Sequence, residues 1–253
     1  MEEVVQARDA ETRHYGRFQQ PYDALRTEAY RRLLKEAAVP ASGVVLDLGG
    51  GSGSFGRMLQ KEGRHVAVCD LSRDLLTTGK THHREGGLSW LQVDIARLPF
   101  RDNSIDAIFL GSVLHHFREI DGIASECLRV LKPGGWCASA DPNGSNWVMW
   151  LLRNPASPFF STAGRSENER CLRHDEVRKV FSRTGFQAIT RHGVRGITYR
   201  LATFCDQEEN PPASARFMLA GWNALEQLMA VLPFAPFWLS SWMVFRYQKP
   251  LPH

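Results

Sequence analysis

Five glycines fall within thirteen residues of Val44–Gly56, VVLDLGGGSGSFG, directly behind an apolar run that carries one carboxylate, Asp47. Glycine loses more backbone freedom on folding than any other residue. Such a cluster therefore marks tight turning or close approach of the backbone to something bulky. An apolar strand followed by a glycine turn and a helix start constrains the chain to an α/β architecture in which backbone amides face a ligand.

The residues that follow repeat the pattern. SFGRMLQKEG reads as a helix capped by Ser52 or Ser54 and ended by Gly63. HVAVCD is a second strand, and Ser72 caps the helix RDLLTTGKTHHRE, which Gly86 and Gly87 close. LSWLQVD alternates like a third strand and IDAIFL is a fourth. Ile120, Ile123, Cys127, Val130 and Leu131 recur at helical spacing, after which KPGG turns the chain into a fifth strand, WCASAD. RHDEVRKVFSRTGF reads as a helix ended by Gly185, with FQAITRHGV as a sixth strand. Strands separated by single helices imply right-handed crossovers and a parallel sheet with helices on both faces. Ligands bind at the carboxyl ends of such strands. Asp70 and Asp94 fall at those ends and Asp47 just before one, so three carboxylates gather near one rim.

Composition narrows the function classes. At 253 residues, 43% apolar and 23% charged, the chain can bury a full core. The net charge of +4 is spread without a run of Lys or Arg, which argues against a nucleic-acid partner. The five cysteines form no CxxC pair and read as buried thiols of a reducing compartment. The charged N-terminus lacks an apolar signal core, so the expected location is cytoplasmic. Residues 217–245 are nearly uncharged and aromatic, but Asn223, Glu226, Gln227 and two prolines interrupt them. They read as a buried or interfacial element, compatible with peripheral membrane contact, rather than as a span.

Gly51, Gly53 and Gly56 satisfy GxGxxG with Asp70 at a distance suited to a ribose, which keeps an NAD(P)-binding oxidoreductase as an alternative. The same segment also reads DxGxGxG from Asp47 through Gly49, Gly51 and Gly53. With VLDLGGGSG, VAVCDLSRDLL, VDIARLPFRDNSIDAIFLGSVLHHF and ECLRVLKPGG in that order, the chain resembles the class I S-adenosylmethionine-dependent methyltransferases. Within them it is most similar to the group related to the ubiquinone and menaquinone methyltransferases. The resemblance is strong over residues 44–141. It implies a Rossmann-like, seven-stranded, mostly parallel sheet whose last strand, WMVFRYQ at Trp242–Gln248, runs antiparallel beside the sixth. The core then comprises residues 44–194 and 242–253, preceded by a helical lid over 1–43. The 195–241 insertion between strands six and seven forms a helical cap.

S-adenosylmethionine as cofactor is what this resemblance implies, and the residue chemistry agrees, because that ligand has an amino acid, a sulfonium, a ribose and an adenine but no phosphate. Asp47 attracts its ammonium, directly or through water, whereas in an NAD site it opposes the pyrophosphate. Gly49, Gly50, Gly51 and Gly53 lie against the methionyl and ribose parts. Asp70 takes the ribose hydroxyls, Leu71 lies on adenine, and Asp94 with the Ile95 amide reads the adenine edge. Tyr15, Gly111 and Ser112 complete the set. His115 and His116 follow the fourth strand, where the resemblance places cavity-lining residues near the sulfonium, and histidine can take an acceptor's proton. His116 is the slightly better match. No metal is expected. The expected reaction is methyl transfer to an O, N or C atom of a small apolar or aromatic acceptor: a secondary metabolite, quinone or lipid-linked precursor. A non-catalytic cofactor-binding subunit is the other alternative, and a homodimer is compatible with the sequence.

Overall fold

In a computed structural model, residues 43–194 are described except 62, 85, 148, 149, 151–153, 155, 159–168 and 171, together with 221, 240 and 242–252. Tyr15, the expected lid and the expected cap lie outside the described residues apart from isolated positions. The strands are β1 (Val44–Leu48), β2 (His65–Asp70), β3 (Leu88–Gln92), β4 (Ile105–Gly111), β5 (Leu131–Pro142), β6 (Gln187–Val194) and β7 (Trp242–Gln248). The helices are α1 (Ser54–Lys61), α2 (Arg73–His82), α3 (Asp121–Val130) and α4 (His174–Thr184), with a single 3-10 turn at Leu114–His116.

One seven-stranded sheet runs in the order β3-β2-β1-β4-β5-β7-β6. The β1–β2, β1–β4, β2–β3 and β4–β5 pairs are parallel. β7 is antiparallel to both of its neighbours, β5 and β6. This is the mostly parallel sheet with an antiparallel last strand that the sequence implies. The order reverses between β1 and β4, which opens a crevice at their carboxyl ends.

Period-two alternation assigns the two faces. Leu46, Leu48, Ile108, Leu110 and Cys137 pack with α3 and α4 residues such as Ile123, Cys127, Val177 and Phe181. Val45, Val66, Ala107, Phe109 and Ala138 pack with Phe55 and Leu59 of α1 on the opposite face. Tyr247 of β7 is fully buried and stacks on Phe181 with ring centroids 4.0 Å apart. Burial alone would penalise its hydroxyl, but that group lies 3.2 Å from Ser139 Oγ in a hydrogen bond.

One local expectation needs correction. KPGG is a bulge inside β5, not a turn that precedes it. Ile105 already pairs with Leu131, and the next pair is Ala107 with Trp136, so two steps on β4 face five on β5. Gly134 takes φ +77° there, which a side chain would resist. The Asp47 carboxylate of β1 also seats an acceptor on the first turn of α1, taking the Gly56 N–H at 3.0 Å. Ser72 caps α2 as expected, accepting from Leu75 N at 3.3 Å.

The loop from Leu98 to Asp102 is clamped to α3. Arg129 reaches Glu126 through Nε and an Nη at 2.8 Å each, and also bonds the Phe100 and Leu98 carbonyls and Asp102. Glu126 accepts from Leu98 N at 2.7 Å. The Arg129 hydrogen bonds hold the Glu126 carboxyl below its ordinary value of 4.5, so its contribution is complete above that pH and is lost as pH falls through the lowered native value. Glu126→Gln should therefore lower the urea midpoint at pH 7 while its deficit against wild type shrinks below pH 4.5; a pH series of unfolding curves checks this.

Cys69, Cys127 and Cys137 are buried free thiols. Burial, with Asp47 and Asp70 nearby, pushes Cys69 up to about 12, and burial also raises Cys137 above its ordinary range. These three should resist alkylation at pH 8 in the native chain and react fully in urea, as read by mass-spectrometric mapping.

Candidate cofactor and acceptor site

The glycine loop is built by β1 leaving the sheet between two neighbours. Gly49 N and Gly50 N both donate to Cys69 O of β2, at 2.7 and 3.2 Å, and Gly53 N donates to Gly50 O at 2.9 Å. Gly49 has φ +68°, and a Cβ there would lie 2.5 Å from Val113 Cγ2. At Gly50 it would lie 2.6 Å from Asp47 Oδ2. Gly51 differs. Its φ is +54°, yet among the described residues a Cβ would meet nothing nearer than Leu75 Cδ1 at 3.5 Å. The described residues therefore leave the backbone bare at Gly51, a cradle for a close-fitting ligand.

Two carboxylates fix this cradle from different sides. Asp47, 1% exposed, turns inward and accepts from Gly56 N at 3.0 Å, satisfying an otherwise orphaned amide of the first turn of α1. Asp70 stands at the end of β2, half-buried, and accepts from Gly51 N at 2.9 Å through Oδ2 and from Ser72 N at 2.8 Å through Oδ1. An ionised carboxylate offers about four lone-pair positions, of which these two amides take two.

Of the other residues expected on the cofactor side, those after β3 are tied to the end of β2. Val93 N donates to Asp70 O at 3.0 Å and Gln92 Nε2 to Leu71 O at 3.0 Å, which sets the 93–95 stretch beside the β2 end. Asp94 is exposed and accepts from Ala96 N at 2.9 Å. Ile95 is buried among core residues, leaving its backbone as the part able to address a ligand. Gly111 pairs with Ala140, and Ser112 N donates to Ala140 O at 2.7 Å. Ser112 has φ +59°, a left-handed conformation that a non-glycine residue adopts only when its surroundings hold it.

Beyond Ser112 the chain enters the 3-10 turn carrying both histidines. His115 is 4% exposed, with Nδ1 2.9 Å from Asp141 Oδ1, and its backbone N donates to the same oxygen at 3.2 Å. A carboxylate only accepts, so the ring donates from Nδ1 and its Nε2 carries the lone pair. The His116 ring lies 4.2 Å away, centroid to centroid. Glu169, also buried, joins them, because Arg170 N donates to His115 O at 3.0 Å and Arg170 Nε to Phe117 O at 2.5 Å.

Asp141 and Glu169 are absent from the sequence-derived site. The strand-end logic that selects Asp70 applies equally to Asp141 at the end of β5, so that residue carried a usable signal. Glu169 sits in SENER with no periodicity or motif around it. Of the aromatic residues after β5, Trp147 and Trp150 are exposed.

Residues 46–139 match the model of the family described as methyltransferase domain. The ubiquinone/menaquinone biosynthesis C-methyltransferase UbiE of Desulfotalea psychrophila is 33% identical over 113 residues, 44% of this chain and 46% of that protein. The demethylmenaquinone methyltransferase of Beutenbergia cavernae is 28% identical over 184 residues, 68% of this chain and 76% of that protein. The matched stretches span about half the length of most of these curated relatives. Phosphoethanolamine N-methyltransferase 2 of Haemonchus contortus, solved with S-adenosylmethionine, superposes with a TM-score of 0.64 at 21% identity, covering 88% of this chain and 52% of that one. Geranyl diphosphate C-methyltransferase of Streptomyces coelicolor gives 0.61 at 14% identity, covering 88% and 76%. These likenesses establish a shared fold.

Gly49→Ala combines an unfavourable left-handed φ with a clash against Val113. It should destabilise the chain by about 2 kcal/mol or more, measured as a drop in the urea midpoint.

Proposed function

We propose, taking residues 46–139 as a class I S-adenosylmethionine-dependent methyltransferase domain related to the ubiquinone/menaquinone methyltransferases, that this chain methylates a small, oxygen-bearing aromatic acceptor of hydroquinone type. The observation that carries the reading is the Gly51 cradle beside Asp70 at the switch point of the sheet. S-adenosylmethionine, the cofactor of this family, supplies an electrophilic methyl group on a sulfonium.

The chain's residues fit that ligand. The open backbone at Gly51 suits a close-lying methionyl and ribose portion, and the half-buried Asp70 suits a diol. The pairing of Leu71 with adenine, and of Asp94 and the Ile95 amide with the adenine edge, belongs to the same proposal. Asp47 serves by holding the loop, since its carboxylate faces α1. Tyr15 and residues 195–241 are assigned to covering the cleft, and a cytoplasmic setting accords with three buried free thiols.

Transfer of a methyl group demands alignment and dryness more than covalent help. Holding donor and acceptor in line can supply roughly 7–11 kcal/mol. An acceptor hydroxyl or acidic ring carbon must also shed a proton, and His115 and His116 are the groups we assign to the acceptor side. His115 leads, because Asp141 fixes its tautomer and orientation.

Calorimetry and turnover test this together. Asp70→Ala should weaken S-adenosylmethionine binding by about 1.5–3 kcal/mol per charged hydrogen bond lost. His115→Ala should keep that affinity and lower formation of S-adenosylhomocysteine across a hydroquinone panel. Tight binding of NAD with no binding of S-adenosylmethionine would overturn the reading in favour of an oxidoreductase.

A further inference from the structure

We propose that His115, His116 and Glu169 form a binding site for one divalent transition-metal cation on the acceptor side of the cleft. The three side chains each offer a ligand atom, and these atoms all lie within 4.8 Å of one another. A tetrahedral cation at the usual distance of about 2.1 Å holds its ligands about 3.4 Å apart, so the widest pair must draw in by up to about 1.4 Å, within reach of side-chain rotation.

Three further observations point the same way. Asp141 engages Nδ1 of His115 at 2.9 Å, which leaves Nε2 as the ring's donor atom. A carboxylate behind a histidine is the arrangement that orients metal-binding imidazoles and raises their basicity. Glu169 lies far along the chain from the histidines, yet the Arg170 N to His115 O bond ties its backbone directly to their turn. The buried Glu169 and Asp141 carboxylates also bring negative charge to a place that water reaches little, which favours a cation.

The donor set decides the kind of ion. Two imidazoles and one carboxylate suit Zn2+, Mn2+ or Fe2+ better than Mg2+, which prefers oxygen ligands throughout. Three protein ligands leave at least one position open. That position suits an oxygen of the acceptor, and only this last clause rests on the methyltransferase reading; the binding of the ion does not.

The full chain, stripped with chelator, is titrated calorimetrically with Zn2+ and Mn2+, and with Co2+ followed by visible absorption. One-to-one binding of at least one ion is expected, weakened tenfold or more in H116A and in the nearly isosteric E169Q. The D141N variant should lose about 10–100-fold. Circular dichroism checks each variant for native fold, and the Co2+ spectrum of the wild type reports nitrogen and oxygen ligation without any substitution. Failure to saturate with any of the three ions overturns the proposal, as does one-to-one binding that both E169Q and H116A leave intact. A parallel S-adenosylmethionine titration of the wild type keeps the two readings apart. A chain that takes the ion but not that cofactor loses the methyltransferase reading and retains the metal site.

Discussion

The Asp47 carboxylate, sealed beneath α1 and bonded to Gly56 N, is the constraint on which the cofactor side depends. A buried anion is costly unless its oxygens are satisfied. The helix N-terminus offers both an orphaned amide and the favourable end of the helix dipole. That one bond fixes the angle at which α1 leaves β1, and so the path of the glycine loop between them. It also explains why side chains are excluded nearby: a Cβ at Gly50 or Gly56 would approach Asp47 Oδ2 to 2.6 or 3.3 Å. The position of Gly51 N, and hence its bond to Asp70, follows from this anchoring.

The same device recurs across the switch point. Asp141 ends β5 as a buried carboxylate and receives both the backbone amide and the ring of His115. One inward acid thus braces the loop after β1 and another braces the turn after β4, while Asp70 and Asp94 stand at the rim. The sheet delivers all of them because parallel strands end together. Strained Ser112, bonded to Ala140 of the same β5, joins the two halves.

Much of this was legible in the residues. Alternation of strand and helix signals yields six strands in order, because apolar periodicity and glycine stops are local properties, and the family resemblance supplies the seventh, WMVFRYQ, which β7 matches residue for residue. What resisted reading depends on tertiary geometry. KPGG looks like a turn before a strand, but Leu131 ahead of it already pairs with β4, so the irregularity becomes a bulge. Asp47 sits in a ligand-binding motif, yet the pleat turns its side chain under the helix. The His115–Asp141 contact joins residues 26 apart, and nothing in the local pattern of either announces the other. Glu169 is brought beside the histidines in part by the bond from its neighbour Arg170 N to His115 O, which joins residues 55 apart.

β6 hydrogen-bonds only to β7 among the described strands, and β7 separates it from β5. During synthesis, then, the ribosome releases β6 well before residues 242–248 exist to receive it. β5 meanwhile waits with a raw edge. The nascent chain must shelter the lone β6 and the open edge of β5 until its closing segment arrives, a window in which a chaperone or a second nascent chain can compete for them.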